Sequence, residues 1–204
     1  MFARVVSKPV LRLVRPPSRF FSTRHLDFSG GGVRKQSSYH AEPLTEVEED
    51  VIAASTARIM SIYDDFGTAD YIGEPMSIKE HSVQAAAAAA KGGESIEAQL
   101  SCLFHDIGHL LGTEANNPMG MDGCGTDDHE TKGAVFLGAL GFSDTVSYLA
   151  KHHVSAKRYL CAVDPNYMAK LTEASKTTLK HQGGPMSDEE CREVEKVRVA
   201  LTSR

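Results

Sequence analysis

The run Leu103-Phe104-His105-Asp106-Ile107-Gly108-His109 sets an imidazole and a carboxylate side by side in an otherwise apolar stretch. Buried polar groups need partners, and a bound cation satisfies a neutral histidine and an ionised aspartate together. Three further histidines, His81, His129 and His153, flank the pair, and the separations 105 − 81, 129 − 105 and 153 − 129 all equal 24 residues. The sequences around these positions do not match one another. The spacing therefore reads as the length of successive helix-plus-loop units, not as an internal repeat. Together the five residues form a candidate metal-ligand set.

Outward from this run the periodicity is helical throughout. Thr45 with Glu48 makes a capping-box pattern, followed by Ile52, Ile59, Ile62, Tyr63 and Phe66 at helical spacing until Gly67. Ser77 with Glu80 starts a second helix that runs through the alanines 85–90, a stretch suited to close packing, to Gly92-Gly93. A third helix starts near Ser95 and carries Leu100, Leu103, Phe104 and Ile107 into the core before Gly112, and residues 112–126, rich in Gly and Asn, read as a loop. The helix of His129 runs to Gly141. Ser143 caps another with Val146 and Leu149, leading toward His153, and residues 156–161 continue it or begin a new one. Asp164-Pro165 opens a helix through Tyr167, Met168 and Leu171 to about Leu179. Gln182-Gly183-Gly184-Pro185 breaks the pattern, and Ser187 with Glu190 opens a last amphipathic helix. No segment alternates in the manner of a strand, so the expected fold is all-α.

At 204 residues the chain suits one domain, and its net charge of −5, with no basic stripe interleaved with aromatics, argues against nucleic-acid binding. No apolar run reaches the roughly 18–20 residues of a membrane span. Cys102, Cys124, Cys161 and Cys191 are scattered without a Cys-x-x-Cys pair, so no disulfide framework is indicated. Residues 1–22 carry Arg4, Lys8, Arg12, Arg15 and Arg19 with no acidic residue, the pattern of a mitochondrial-type targeting peptide, although Pro9, Pro16 and Pro17 would interrupt a helix there. The mitochondrial matrix is the expected location, with another organelle or the cytoplasm as alternatives. Residues 23–44, with Gly30-Gly31-Gly32, read as a flexible linker, and 45–204 as the folded domain.

The order His, His-Asp, His, His in an all-α chain resembles the HD-domain metalloprotein superfamily, whose members hold one or two metals inside a helical bundle. Longer strings narrow the resemblance. These are Asp70-Tyr71-Ile72-Gly73-Glu74 before Glu80-His81-Ser82, His153-Val154-Ser155-Ala156-Lys157-Arg158-Tyr159-Leu160, and Gln182-Gly183-Gly184-Pro185-Met186. They are similar to the mixed-valent di-iron oxygenases that cleave the carbon–phosphorus bond of 2-amino-1-hydroxyethylphosphonate and its trimethylammonio analogue. The resemblance implies that His81, His105, Asp106, His129 and His153 bind two iron ions, with Asp106 bridging them. It also implies that Tyr71 and Glu74 act as a lid displaced by substrate, and that His109, Lys157, Ser175, Thr178 and Gln182 contact the phosphonate. The implied co-substrate is dioxygen, and the implied products are phosphate and an amino acid.

One ligand of that family has no counterpart. Its last Asp lies on a helix beyond the Gln-Gly-Gly-Pro-Met string, whereas here Asp188 is the only aspartate after Met186. The domain is therefore expected to be truncated at its C-terminal end, unless Glu193 or water fills the position or one metal is weakly held. Two other readings stand beside the oxygenase. One is an HD-type phosphohydrolase acting on a nucleotide or other phosphoester with a divalent metal such as Mn, Zn or Mg; the other is a degenerate binding module. His152, next to His153, should point about 100 degrees away on a helix, at the surface or behind the ligands.

Overall fold

Thr45 and Glu48 exchange their capping bonds, Glu48 N–H donating to Thr45 Oγ1 at 3.3 Å and Thr45 N–H to the Glu48 carboxylate at 2.9 Å, and this starts helix α1, Glu46–Phe66. The computed structural model describes residues 43–70, 75–116, 120, 123 and 125–202. The expected targeting segment and nearly all of the expected linker lie outside the described residues. Ser77 and Glu80 cap α2, Ile78–Lys91, in the same reciprocal way. There follow α3, Ile96–Phe104; α4, Ile107–Glu114; α5, His129–Ala139; α6, Asp144–Lys151; α7, His153–Val163; α8, Pro165–Ala169; α9, Glu173–His181; and α10, Asp188–Thr202. Among the described residues the fold is all-α, with only an isolated antiparallel bridge between Asp70 and Ser77.

Two helical hairpins organise residues 78–151. Helix α2 turns at Gly93, whose φ of 71° favours a residue without a Cβ, and returns as α3. Helix α5 turns at Gly141, φ 86°, and returns as α6. Small side chains seat the first hairpin: Ala85 and Ala89 of α2 pack on Cys102 of α3. Ile59, Ile62 and Tyr63 of α1 join Phe104, Ile107, Leu110, Leu137, Val146 and Ala150 in one core beneath both hairpins. A second core of Tyr159, Leu160, Tyr167, Leu171 and Leu179 holds α7, α8 and α9 together, with Met186, Cys191 and Val194 of the last segment against it.

The structure corrects two helix boundaries and decides a third that the sequence left open. The expected helix from Ser95 to Gly112 is two helices, because the backbone leaves helical geometry at Asp106 (φ −101°, ψ 8°) and restarts at Ile107, then continues past Gly112 to Glu114. The helix expected from Asp164 to Leu179 is likewise broken, Thr172 capping α9 through the Ser175 N–H at 3.1 Å. His152 divides α6 from α7. In each case the apolar spacing carries on across the break, so periodicity alone does not mark it.

Candidate metal centre

Each hairpin brings its two histidines together at its open end. His81, in the first turn of α2, meets His105, just past the end of α3, with Nε2 atoms 3.3 Å apart. His129, the first residue of α5, meets His153, the first of α7, at 3.1 Å. Asp106 stands between the pairs. Its Oδ2 lies 2.9 Å from His105 Nε2 and 3.6 Å from His81 Nε2, while its Oδ1 lies 3.5 Å from His153 Nε2 and 3.6 Å from His129 Nε2. One carboxylate oxygen thus faces each imidazole pair.

The donor set fits metal ions. With metal–nitrogen bonds of about 2.0–2.1 Å, two imidazoles on one ion at roughly 90–110° have nitrogens about 2.9–3.4 Å apart, and both pairs fall in that range. Two three-residue groups result, His81/His105/Asp106 and Asp106/His129/His153, joined by the shared aspartate. Ring tautomers agree. His105 Nδ1 lies 2.8 Å from the Cys102 carbonyl and His153 Nδ1 2.6 Å from the Ala150 carbonyl. A carbonyl only accepts, so each Nδ1 carries the proton and each Nε2 keeps its lone pair for a metal.

The electrostatics favour the same protonation state. Burial pushes His81 down to about 4 and His153 down to about 3, against the opposing pull of Asp106. Burial likewise holds His129 well below the usual histidine range. For Asp106 burial favours the neutral acid, but adjoining His105, then His109 and His153, outweighs it and keeps the carboxyl well below its ordinary value. At neutral pH these three imidazoles are neutral donors around an ionised carboxylate.

Close helix packing makes the arrangement possible. A Cβ at Gly108 would overlap the carbonyl of His129, and one at Gly112 would overlap the Thr126 side chain. Glycine at both positions lets α4 lie directly against the start of α5, which is how His129 comes to Asp106. Asp128 precedes His129 in a left-handed conformation, φ 54°, turning the chain into the helix.

An HD-domain family model matches residues 78–200, which includes all five of these residues. The chain belongs to the HD-domain family. It is 41% identical over 138 residues to a protein of Leisingera caerulea named 1-hydroxy-2-(trimethylamino)ethyl phosphonate dioxygenase (glycine-betaine-forming), covering 68% of this chain and 69% of the relative. It is 36% identical over 155 residues to hydroxymethylphosphonate dioxygenase of Gimesia maris, covering 72% and 74%. An uncharacterised protein of Acanthamoeba polyphaga mimivirus is 40% identical over 138 residues, covering 67% and 62%.

Other residues singled out by sequence are arranged around this HD centre. His109 stacks on His129 with ring centroids 3.9 Å apart, and its Nδ1 accepts the Thr126 N–H at 2.9 Å. Its neutral tautomer is therefore the opposite of that in His105 and His153: the proton is on Nε2, making His109 a donor. Lys157 lies one turn beyond His153 on α7, and its ammonium donates to Thr178 Oγ1 at 2.8 Å and Gln182 Oε1 at 3.2 Å. Ser175 enters this group through its carbonyl, which accepts from Thr178 Oγ1 at 3.1 Å. The Lys157 charge reaches the centre, adding to the burial that lowers the pKa of His109.

Neighbouring residues separate by task. Arg158 ties α7 to the last turn, donating to the Gly184 carbonyl at 2.9 Å and to Glu190 at 2.8 Å. His152 binds the Tyr148 carbonyl at 2.8 Å and stacks on that ring, away from the ligands. Tyr71 and Glu74 lie outside the described residues; their flanks, Asp70 and Ser77, face each other just before the helix of His81. Glu193 does not stand in for the family's last aspartate, because it is exposed on α10 and engaged by Lys196. Sequence reasoning missed Glu130, whose carboxylate is 3.5 Å from His129 Nδ1, and the available signal was an acid directly following a ligand histidine. A cavity of about 630 Å³ between α1, α2 and α3 is a different feature. Its walls include Val51, Ile52, Met60, Leu100 and Phe104, and its Lys79 is paired with Asp64 at 2.9 Å, so it does not suit an anionic ligand.

Proposed function

We propose that this HD-domain protein is a di-iron oxygenase that cleaves the carbon–phosphorus bond of a small 1-hydroxyphosphonate. The observation that carries the reading is Asp106, with one oxygen toward each of two imidazole pairs. The names of the Leisingera and Gimesia relatives support the substrate class and the use of dioxygen. A mixed-valent Fe(II)/Fe(III) pair suits the imidazole and carboxylate donors. When bound, the two ions supply redox equivalents for dioxygen and a template for the substrate hydroxyl and phosphonate oxygens.

The remaining work belongs to the chain. A phosphonate is a dianion, and the Lys157 ammonium provides charge while the Gln182 amide and the His109 Nε2–H provide direction, with Thr178, anchored on the Ser175 carbonyl, holding Lys157 in place. Lys157 is already held by Thr178 and Gln182 before substrate arrives, so less ordering is required on binding. Tyr71 and Glu74 are assigned as the lid, on resemblance alone. The balanced reaction is R–CH(OH)–PO3H2 + O2 → R–COOH + H3PO4: the C–P bond breaks, C1 is oxidised from alcohol to carboxylic acid, and dioxygen is reduced. The basic, acid-poor first residues support a mitochondrial matrix setting.

The test is phosphate release from a 1-hydroxyphosphonate by anaerobically iron-loaded protein, followed together with oxygen uptake. One phosphate per dioxygen consumed is expected. Phosphate release that continues unchanged without oxygen would sink the oxygenase reading and favour a hydrolase.

A further inference from the structure

Of the imidazoles in the centre, His129 is oriented differently from the two whose Nδ1 protons end on backbone carbonyls. His105 and His153 each use the carbonyl three residues back, at the end of the preceding helix. His129 has no preceding helical turn. It opens α5 directly after Asp128, whose left-handed backbone (φ 54°) turns the chain away from helical geometry, and the Thr126 N–H is committed to His109. What stands beside the His129 Nδ1 is the carboxylate of Glu130, 3.5 Å away and with only 22% of its side chain exposed. His109, stacked on one face of the ring, limits tilt but offers nothing to Nδ1 in the ring plane.

We propose that Glu130 is the positioning residue for the His129/His153 half of the centre. Its carboxylate accepts the His129 Nδ1–H, fixes that tautomer, and thereby keeps the Nε2 lone pair aimed at the position shared with His153 and Asp106 Oδ1. A carboxylate behind a ligand imidazole also raises the basicity of the ring, and losing such a partner typically costs about 10–100-fold in metal affinity. The effect is local. The His81/His105 half has its own support in the Cys102 carbonyl and does not touch Glu130. The inference rests on the two-metal reading of the site.

The experiment compares the full chain with Glu130→Ala and Glu130→Gln. In protein loaded with diamagnetic Zn(II), NMR of the histidine rings should find the His129 Nδ1–H protected from exchange with water in the wild type and exposed to it in Glu130→Ala. Glu130→Gln keeps an oxygen acceptor and should fall between. Anaerobic titration with Co(II) against a chromophoric chelator should then resolve two sites in the wild type. One of them should weaken about 10–100-fold in Glu130→Ala, with the other unchanged. Unchanged protection of the His129 Nδ1–H, or two unchanged affinities in folded Glu130→Ala, would overturn the proposal. Fewer than two metals on the wild-type chain would contradict the centre itself, and the exchange of the His129 Nδ1–H would decide the role of Glu130 separately.

Discussion

Asp106 is 3% exposed and four imidazole nitrogens lie within 3.6 Å of its carboxylate oxygens. A carboxylate withdrawn from water to this degree needs strong compensation, which a cation held by these donors would provide. Lys157 makes the contrasting case: its charge lies one turn from His153 but its bonds go to Thr178 and Gln182, outside the ligand set. Lys157→Ala is therefore expected to keep full metal content by elemental analysis while raising KM for the phosphonate at least tenfold. Metal loss in that variant would move Lys157 into the metal centre. Sequence alone identified all five ligand candidates, because a buried His-Asp pair flanked by spaced histidines is chemically conspicuous. Glu130 escaped notice because an acid at the start of a helix is ordinary for reasons unrelated to any metal.

At the scale of elements, the 24-residue intervals acquire a physical origin. Each of the separations 105 − 81 and 153 − 129 is the path up one helix and back down the next, so residues at the two open ends of a hairpin meet. Short glycine turns make the partners antiparallel. The middle interval, 129 − 105, crosses from one hairpin to the other and depends on Gly108. Gly108→Ala is expected to destabilise the protein by about 1–3 kcal/mol, since α4 and α5 must separate, and to weaken metal binding by His129. Gly138→Ala, where the nearest neighbour is Ser147 Oγ at 3.8 Å, should be neutral or stabilising by about 0.5–1 kcal/mol. Urea midpoints of the two variants check the pair, and an undisturbed Gly108→Ala would contradict the close-approach account. Helix breaks at Asp106 and Thr172 were not legible because apolar residues keep their spacing through them, and the same continuity left the break at His152 open. At Asp106 and His152 the break turns His105 and His153 toward the centre, whereas at Thr172 the side-chain cap on the Ser175 N–H starts the next helix locally.

For the whole molecule, the candidate centre lies between the core of the two hairpins and the core built on α7 to α9. Buried neutral histidines then couple stability to pH. In the unfolded chain a histidine titrates near 6.5, whereas in the fold His81 is held down to about 4 and His153 down to about 3. Between these limits the unfolded state binds more protons, so stability falls as pH falls. Metal-free protein should therefore show a level urea midpoint above about pH 7 and a declining one from about pH 6.5 toward 4. A midpoint unchanged between pH 7 and pH 5 would contradict this. The fold class was legible from the absence of alternation, but the meeting of the two hairpins was not, because the contacts of Gly108 and Gly112 are long-range. The central claim is that one aspartate serves two metal positions, and the direct measurement is metal content per chain after anaerobic loading and removal of excess, for wild type and Asp106→Ala. The account predicts two ions on the wild type and none tightly held on the folded variant. A single ion on the wild type, or one tight site surviving in Asp106→Ala, would contradict it.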